Sequence, residues 1–354
     1  MTVSVVRTLT RAARAAAHRE LPPPHCPACA RDGRESRDDP GGREAAVLAD
    51  RRDGTVVRHG SAVAKAHADD TDPHAHRART AVAAHPLLTG VLLPPLPPPQ
   101  SDEDAPGDDA PREGGPGRLV TLWPYGAPVD PDHPDAAPWE QAGALAARLH
   151  SVPLAALPGP LPAMRGPAKA ARALARMRAA VAGGRRPAAV VPVERAWARL
   201  PAWARDEARS PAAAGPDEAV TLCHGDLHLG QLVRHPAPEG PWLLIDVDDL
   251  GIGAPAWDLA RPAAWYAAGL LPEEAWQRFL AGYRSAHGPA VPAEGDPWPR
   301  LDVAARALTV QTAALAIARS AAEDRDVDEA EQLMIDACGR IAALATELAC
   351  DASS

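Results

Sequence analysis

Short apolar runs bounded by turn residues fill the first third of this 354-residue chain, and long helical periodicities fill its last part. Glu44 to Asp50 predicts a first sheet strand. Val56–Gly60 and Ala62–His67 predict two more, the first preceded by the turn signal Asp53-Gly54. Asp72–Ala83 predicts a helix with Asp72 as its cap and Pro73 at its first position. Gly117–Gly126 reads as a strand that ends in Trp123, Pro124 and Tyr125 before a breaker, and Pro138–His150 shows helical spacing of apolar residues. Two further strand-like runs, Val220–Cys223 and Trp242–Ile245, each end in a loop that carries carboxylates. Leu301–Ala322 and Val327–Leu348 predict two long amphipathic helices, separated by Glu323-Asp324-Arg325-Asp326. No internal repeat is evident.

The two carboxylate-bearing loops carry the chemistry. The first reads Cys223-His224-Gly225-Asp226-Leu227-His228-Leu229-Gly230-Gln231, and the second Leu243-Leu244-Ile245-Asp246-Val247-Asp248-Asp249. If the two runs end side by side, their carboxylates meet at the strand ends. Phosphoryl transfer from a nucleotide needs one carboxylate to orient an attacking hydroxyl and oxygen ligands to hold a divalent cation, and such a pair supplies both. A chance hairpin with surface carboxylates is the bland alternative. It fits poorly with the further stretch Gly253-Ala254-Pro255-Ala256-Trp257-Asp258-Leu259-Ala260 just downstream.

The spacing of these residues resembles the aminoglycoside phosphotransferase family of kinase-like enzymes, which includes antibiotic, choline, homoserine and maltose kinases. The resemblance implies an α+β, protein-kinase-like two-lobed fold, with a small antiparallel β-sheet lobe and a larger, mainly helical lobe. It implies that Asp226 is the catalytic base, that Asp246 is the principal magnesium ligand with Asp248 beside it, and that Gln231 is a second metal ligand where the family more often has Asn. His228 occupies the position of the kinase Lys that touches the transferred phosphate, and His224 orients the loop by hydrogen bonds. Asp258 is expected to hydrogen-bond back to the catalytic loop, or else simply to cap a helix. His-Leu-Gly-Gln at 228–231 also resembles the maltokinase branch.

By the same resemblance Lys65 stands where a strand Lys pairs the α- and β-phosphates, although an edge-strand Lys is ordinarily a solvated charge. The helix after it contains no Glu to partner Lys65, leaving Asp72 or another acid for that role. Trp123, Pro124 and Tyr125 stand at the hinge that would sandwich adenine, with core packing as the equal alternative. The implied activity is transfer of a γ-phosphate from ATP or GTP, with Mg2+, to a hydroxyl of a small molecule. An aminoglycoside or related natural product is one acceptor, a maltose-like sugar another, and a non-catalytic pseudokinase-like nucleotide-binding protein is the reading from a different class. No Gly-x-x-x-x-Gly-Lys-Ser/Thr loop occurs, so a P-loop kinase is not supported.

Composition narrows this only a little. The net charge of −9 argues against a nucleic-acid partner. No stretch approaches the run of about 20 apolar residues of a membrane helix, and the N-terminal apolar run is too interrupted for a secretory signal. These features predict a cytoplasmic enzyme. Five cysteines fit reduced thiols, and Cys26-Pro27-Ala28-Cys29 lacks a second pair for zinc. The expected organisation is an N-terminal helix and flexible arm over 1–43, a nucleotide-binding sheet lobe over 44–126 with a disordered loop at about 94–116, and a helical lobe over 127–354. The acids Glu323, Asp324, Asp326, Asp328, Glu329 and Glu331 either attract a cationic acceptor or compensate a helix dipole on a wet surface.

Overall fold

The computed structural model describes residues 2–20, 45–51, 54–97, 118–182, 188–207 and 220–344. The arm at Pro22–Gly42 with its Cys26–Cys29 pair, most of the 94–116 loop, the Asp53 turn residue and the end of the last expected helix lie outside those residues. By internal packing the chain forms two compact units, one of residues 1–128 and 233–245, the other of 129–232 and 246–354.

In the first unit, β1 (Ala45–Arg51), β2 (Gly54–His59), β3 (Ala62–His67) and β4 (Val120–Pro124) form an antiparallel sheet in that order. Helix α1 (Thr2–Glu20) presents Leu9, Ala12, Ala13, Ala16 and Ala17, a stripe at one-turn spacing, to Val57, Ala62, Ala64, Ala66 and Leu122. The small alanines let the helix lie close on the sheet. Because side chains alternate along a strand, Lys65 points to the other face, next to its cross-strand neighbours Val56 and Thr121. Helix α2 (Pro73–Ala83) starts where expected, with the Asp72 side chain accepting the N–H of His74 at 2.8 Å. A second sheet of the same unit orders β5 (Ala127–Pro128), β7 (Leu232–Arg234) and β8 (Trp242–Leu244).

The second unit is helical. It comprises helices α3 (Trp139–His150), α4 (Gly166–Val181), α5 (Val190–Ala198), α6 (Ala256–Ala268), α7 (Glu273–Ser285), α8 (Trp298–Glu323) and α9 (Glu329–Ala343) and the two-stranded ladder of β6 (Thr221–Cys223) and β9 (Gly251–Gly253), against which α3 packs. α3 and α7 cross at glycine contacts: a Cβ on Gly143 would stand 2.0 Å from the Phe279 carbonyl oxygen, and one on Gly282 would stand 2.0 Å from that of Glu140. α8 departs from the amphipathic expectation. Its middle is buried all round, with the consecutive residues Ala307 to Gln311 all shielded, because α4, α5, α6 and α9 pack against it. Alanine at so many of its positions permits this close approach. It is also long and apolar enough to cross a membrane by length and composition, contrary to the expectation that no stretch comes near, and 72% of its most apolar window is buried in the unit.

Three of the acids at the α8–α9 junction, Glu323, Asp328 and Glu331, serve local structure. Arg325 donates to both Glu331 oxygens, at 2.7 and 2.8 Å, and to Glu323 at 2.8 Å. Asp328 and Glu331 form a reciprocal capping box at the start of α9.

Candidate active site

The site is built at one end of the β6–β9 ladder. Register pairs Cys223 with Gly251, so the loop leaving β6 and the turn entering β9 lie side by side. The run 242–245 contributes β8 to the other sheet, so β6 takes β9 and not β8 as its ladder partner. The carboxylate brought to Asp226 is that of Asp249, and the two share one ammonium: Lys169 Nζ lies 2.8 Å from Asp226 Oδ2 and 2.6 Å from Asp249 Oδ2. The Arg261 guanidinium takes the other Asp226 oxygen, Oδ1. Arg165 completes the group, with Nε 3.5 Å from Asp249 Oδ1.

Gly225 makes this geometry possible. Its φ of +81° is open to glycine at no cost, and a Cβ there would stand 2.3 Å from the Asp249 carbonyl oxygen. The loop is then fixed from below by Asp258 in the first turn of α6. Its carboxylate accepts the N–H of His224 at 2.6 Å and of Gly225 at 2.8 Å, together with His150 Nε2 at 2.9 Å. His150 Nδ1 lies 2.8 Å from the Tyr283 hydroxyl, which accepts the Ala290 N–H at 2.9 Å. Asp258, His150 and His224 are all buried. Hydrogen bonds and the His150 ring keep the Asp258 carboxyl below its ordinary value although burial alone would raise it.

Asp226 and His228 are tuned in different ways. Burial pushes Asp226 up, but Lys169 and Arg261 more than offset it and leave its pKa at about 2. His228 is pushed down to about 4, first by burial and then by Arg261, so it is neutral near pH 7. Its Nδ1 accepts the Gly230 N–H at 3.0 Å, which leaves the proton on Nε2. His228 therefore offers a neutral N–H where the resemblance led to a phosphate-touching residue. The charge beside Asp226 comes from Lys169 and Arg261.

Asp246 adopts a left-handed backbone, φ 63°, and accepts the Asp248 N–H across the turn at 3.4 Å. A left-handed carboxylate residue is a strained choice that recurs at ligand sites. Gln231 ends the short 3-10 turn begun at Leu229. Carboxylates of Asp246 and Asp248 and the Gln231 carbonyl are all hard oxygen donors, which suits Mg2+.

In the first unit, Lys65, Thr121 and Trp123 share the sheet face away from α1, by register and alternation. Trp123 is buried and its Nε1 donates to Thr121 Oγ1 at 2.9 Å. Pro124 pairs with Ala62 at the end of β4. The Tyr125 N–H donates to the Ser61 carbonyl at 2.7 Å, its own carbonyl accepts His235 Nδ1 at 3.1 Å, and the Arg58 guanidinium lies 3.4 Å over its ring. The Tyr125 N–H is thus occupied within its own unit.

Lys169, Arg261, Arg165 and Asp249 were not singled out from the sequence. One signal exists for Lys169: it stands in the first turn of α4, where the helix dipole disfavours a cation and no acid accompanies it.

Residues 11–302 match a family described as the phosphotransferase enzyme family. A comparison with curated proteins finds no match. Among solved structures, the chain is similar to an amicoumacin kinase in complex with AMP-PNP, Ca2+ and Ami (TM-score 0.52, 15% identity, 84% of this chain and 88% of that one). It is also similar to a thermostable mutant of aminoglycoside phosphotransferase APH(4)-Ia in its apo form (TM-score 0.51, 12% identity, 84% and 93% coverage). A choline/ethanolamine kinase family protein from Mesorhizobium loti aligns with TM-score 0.48 at 16% identity, over 86% of this chain and 89% of that one. The first two likenesses show a protein-kinase-like α+β fold.

Proposed function

This chain belongs to the phosphotransferase enzyme family, and from that membership and the setting of Asp226 we propose that it moves the γ-phosphate of a nucleoside triphosphate to a hydroxyl of a small molecule. The observation that carries the proposal is a half-buried carboxylate, Asp226, gripped by two cations on a loop whose backbone is clamped by Asp258.

Asp226 accepts a hydrogen bond from the acceptor hydroxyl and so aims its oxygen at the phosphorus. The alcohol proton passes to Asp226 late, as the new P–O bond forms and the bond to the leaving diphosphate breaks. A carboxylate with pKa about 2 is a weak base, which suits a loose transition state that asks for alignment more than for early proton removal. Lys169 and Arg261 keep that carboxylate ionised and oriented. Asp246, Asp248 and Gln231 would hold Mg2+, which when bound neutralises phosphate charge. Lys65 is the residue for the α- and β-phosphates, and Trp123, Pro124 and Tyr125 for the base.

A recess beside Asp226 is lined by Leu227, Trp257, Arg261, Leu308 and Gln311. Among the described residues Asp226 is its only carboxylate, and that one already faces two cations. His-Leu-Gly-Gln at 228–231, which resembles the maltokinase branch, makes a neutral, polyhydroxylated acceptor of the sugar kind the first to test beside an aminoglycoside. The test is a mass-spectrometric screen with ATP, GTP and Mg2+ against maltose and related sugars, aminoglycosides, other hydroxylated antibiotics, choline and homoserine. A gain of one phosphate on a neutral polyol supports the reading. Exclusive phosphorylation of aminoglycosides overturns the acceptor class, and nucleotide binding without any transfer supports the pseudokinase-like alternative.

A further inference from the structure

We infer that Lys169 is a positioning residue of the transfer reaction, an ammonium delivered by α4 that ties Asp226 to Asp249 and sets the orientation and charge of the catalytic carboxylate. The inference rests on the proposed phosphotransfer.

Geometry carries it. Asp226 follows β6 and Asp249 precedes β9, so strand pairing alone forces two carboxylates together. Like charges at that separation repel, and Lys169 sits between them at 2.8 and 2.6 Å. Its side chain and both carboxylates are about four-fifths shielded from water, where an ion pair is screened little. The position is costly for a lysine in every other respect. It is in the first turn of α4, against the helix dipole, and its desolvation has to be offset by the two carboxylates it joins. A surface lysine on the same helix would face none of these costs.

The charged groups around Asp226 have separate tasks. Arg261, from α6, holds Oδ1, whereas Lys169, from α4, holds Oδ2. Arg165 faces Asp249 and leaves Asp226 to the other two cations. His228 and His224 lie on the loop of Asp226 itself, and the neutral His228 adds no charge. Lys169 therefore connects Asp226 to Asp249, on the turn that follows Asp246 and Asp248, through a shared proton donor. An ammonium has three N–H donors, and two are engaged here.

The test compares Lys169→Met and Lys169→Arg with wild type on whichever acceptor the wild type phosphorylates. Lys169→Met is expected to lower kcat by about 100-fold, the lower end of what a positioned proton-handling group contributes, with acceptor KM changed less than threefold. Lys169→Arg should recover at least tenfold of that loss. A Lys169→Met enzyme within threefold of wild-type kcat overturns the inference. A second measurement does not need turnover: the 13C carboxyl resonance of Asp226, assigned by its absence in Asp226→Asn, followed from pH 4 to 7. It should stay flat in wild type and titrate upward into this range in Lys169→Met, and a flat signal in the variant overturns the clamp. If Lys169→Met does not fold, Lys169→Met with Asp249→Asn removes the facing charges together and the same signal is read. A moving signal in an enzyme that phosphorylates nothing leaves the clamp standing and rejects the phosphotransfer reading.

Discussion

Replacing Asp258 by Ala removes the acceptor of three hydrogen bonds, two buried, from His224 N–H and His150 Nε2, and one part-buried, from Gly225 N–H. Each orphaned buried donor costs about 1–3 kcal/mol, and partial relaxation brings the sum to about 3–5 kcal/mol, the range measured when one partner of a buried pair is removed. At roughly 2–4 °C per kcal/mol for a unit of this size, the melting temperature falls by roughly 6–20 °C. Asp258→Asn keeps one acceptor oxygen but turns an amide donor toward the other N–H, so its loss should lie between wild type and Ala. The pH dependence has a definite sign. The folded pKa of Asp258 is lowered from 3.8, so its stabilisation is present above that value and disappears as pH falls through the folded pKa. Urea unfolding of the three proteins between pH 3 and 7 reads all of this. A loss under about 1 kcal/mol in Asp258→Ala, or equal values for Asn and Ala, would refute the clamp.

Three shorter predictions follow from the same geometry. Gly225→Ala should reduce stability by at least about 1–2 kcal/mol and cut turnover, because it combines left-handed strain with a Cβ 2.3 Å from the Asp249 carbonyl; unchanged urea unfolding would contradict this. Tyr283→Phe strands the buried Ala290 N–H and one side of His150, a loss of about 1–3 kcal/mol by thermal unfolding, and a neutral variant would show that another acceptor replaces the hydroxyl. Asp246→Ala should abolish the Mg2+ dependence of nucleotide binding by calorimetry, and binding that still responds to Mg2+ would remove Asp246 from the ligand set.

Much of this was legible because it is local. The alternation in Ala62–His67 and the Asp72-Pro73 start of α2 are written in neighbouring residues, and so is the His224-Gly225-Asp226 loop. The hydrogen bonds from His224 and Gly225 to Asp258 span 34 and 33 residues, yet the Trp257-Asp258 stretch marked the place. What failed was pairing between distant segments. The run Val220–Cys223 did not name its partner: β6 pairs with Gly251–Gly253, whose glycines let Met164 and its neighbours approach; a Cβ on Gly253 would meet the Met164 side chain at 2.3 Å. Lys169 lies far upstream in a helix whose pattern says only that it is a helix. α8 misled because scattered Thr and Gln mimic a polar face, whereas Thr309 and Gln311 are buried among alanines.

The central claim is that Asp226 aligns the acceptor in a phosphoryl transfer, and single-turnover transfer from γ-labelled nucleotide, measured in wild type and Asp226→Asn beside their nucleotide Kd values, tests it most directly. Asn is isosteric and still accepts a hydrogen bond, but it has no charge for Lys169 and Arg261 and cannot take the proton. The account predicts equal Kd within about threefold and a transfer rate lower by about 100-fold or more. Equal transfer rates in the two proteins would contradict it.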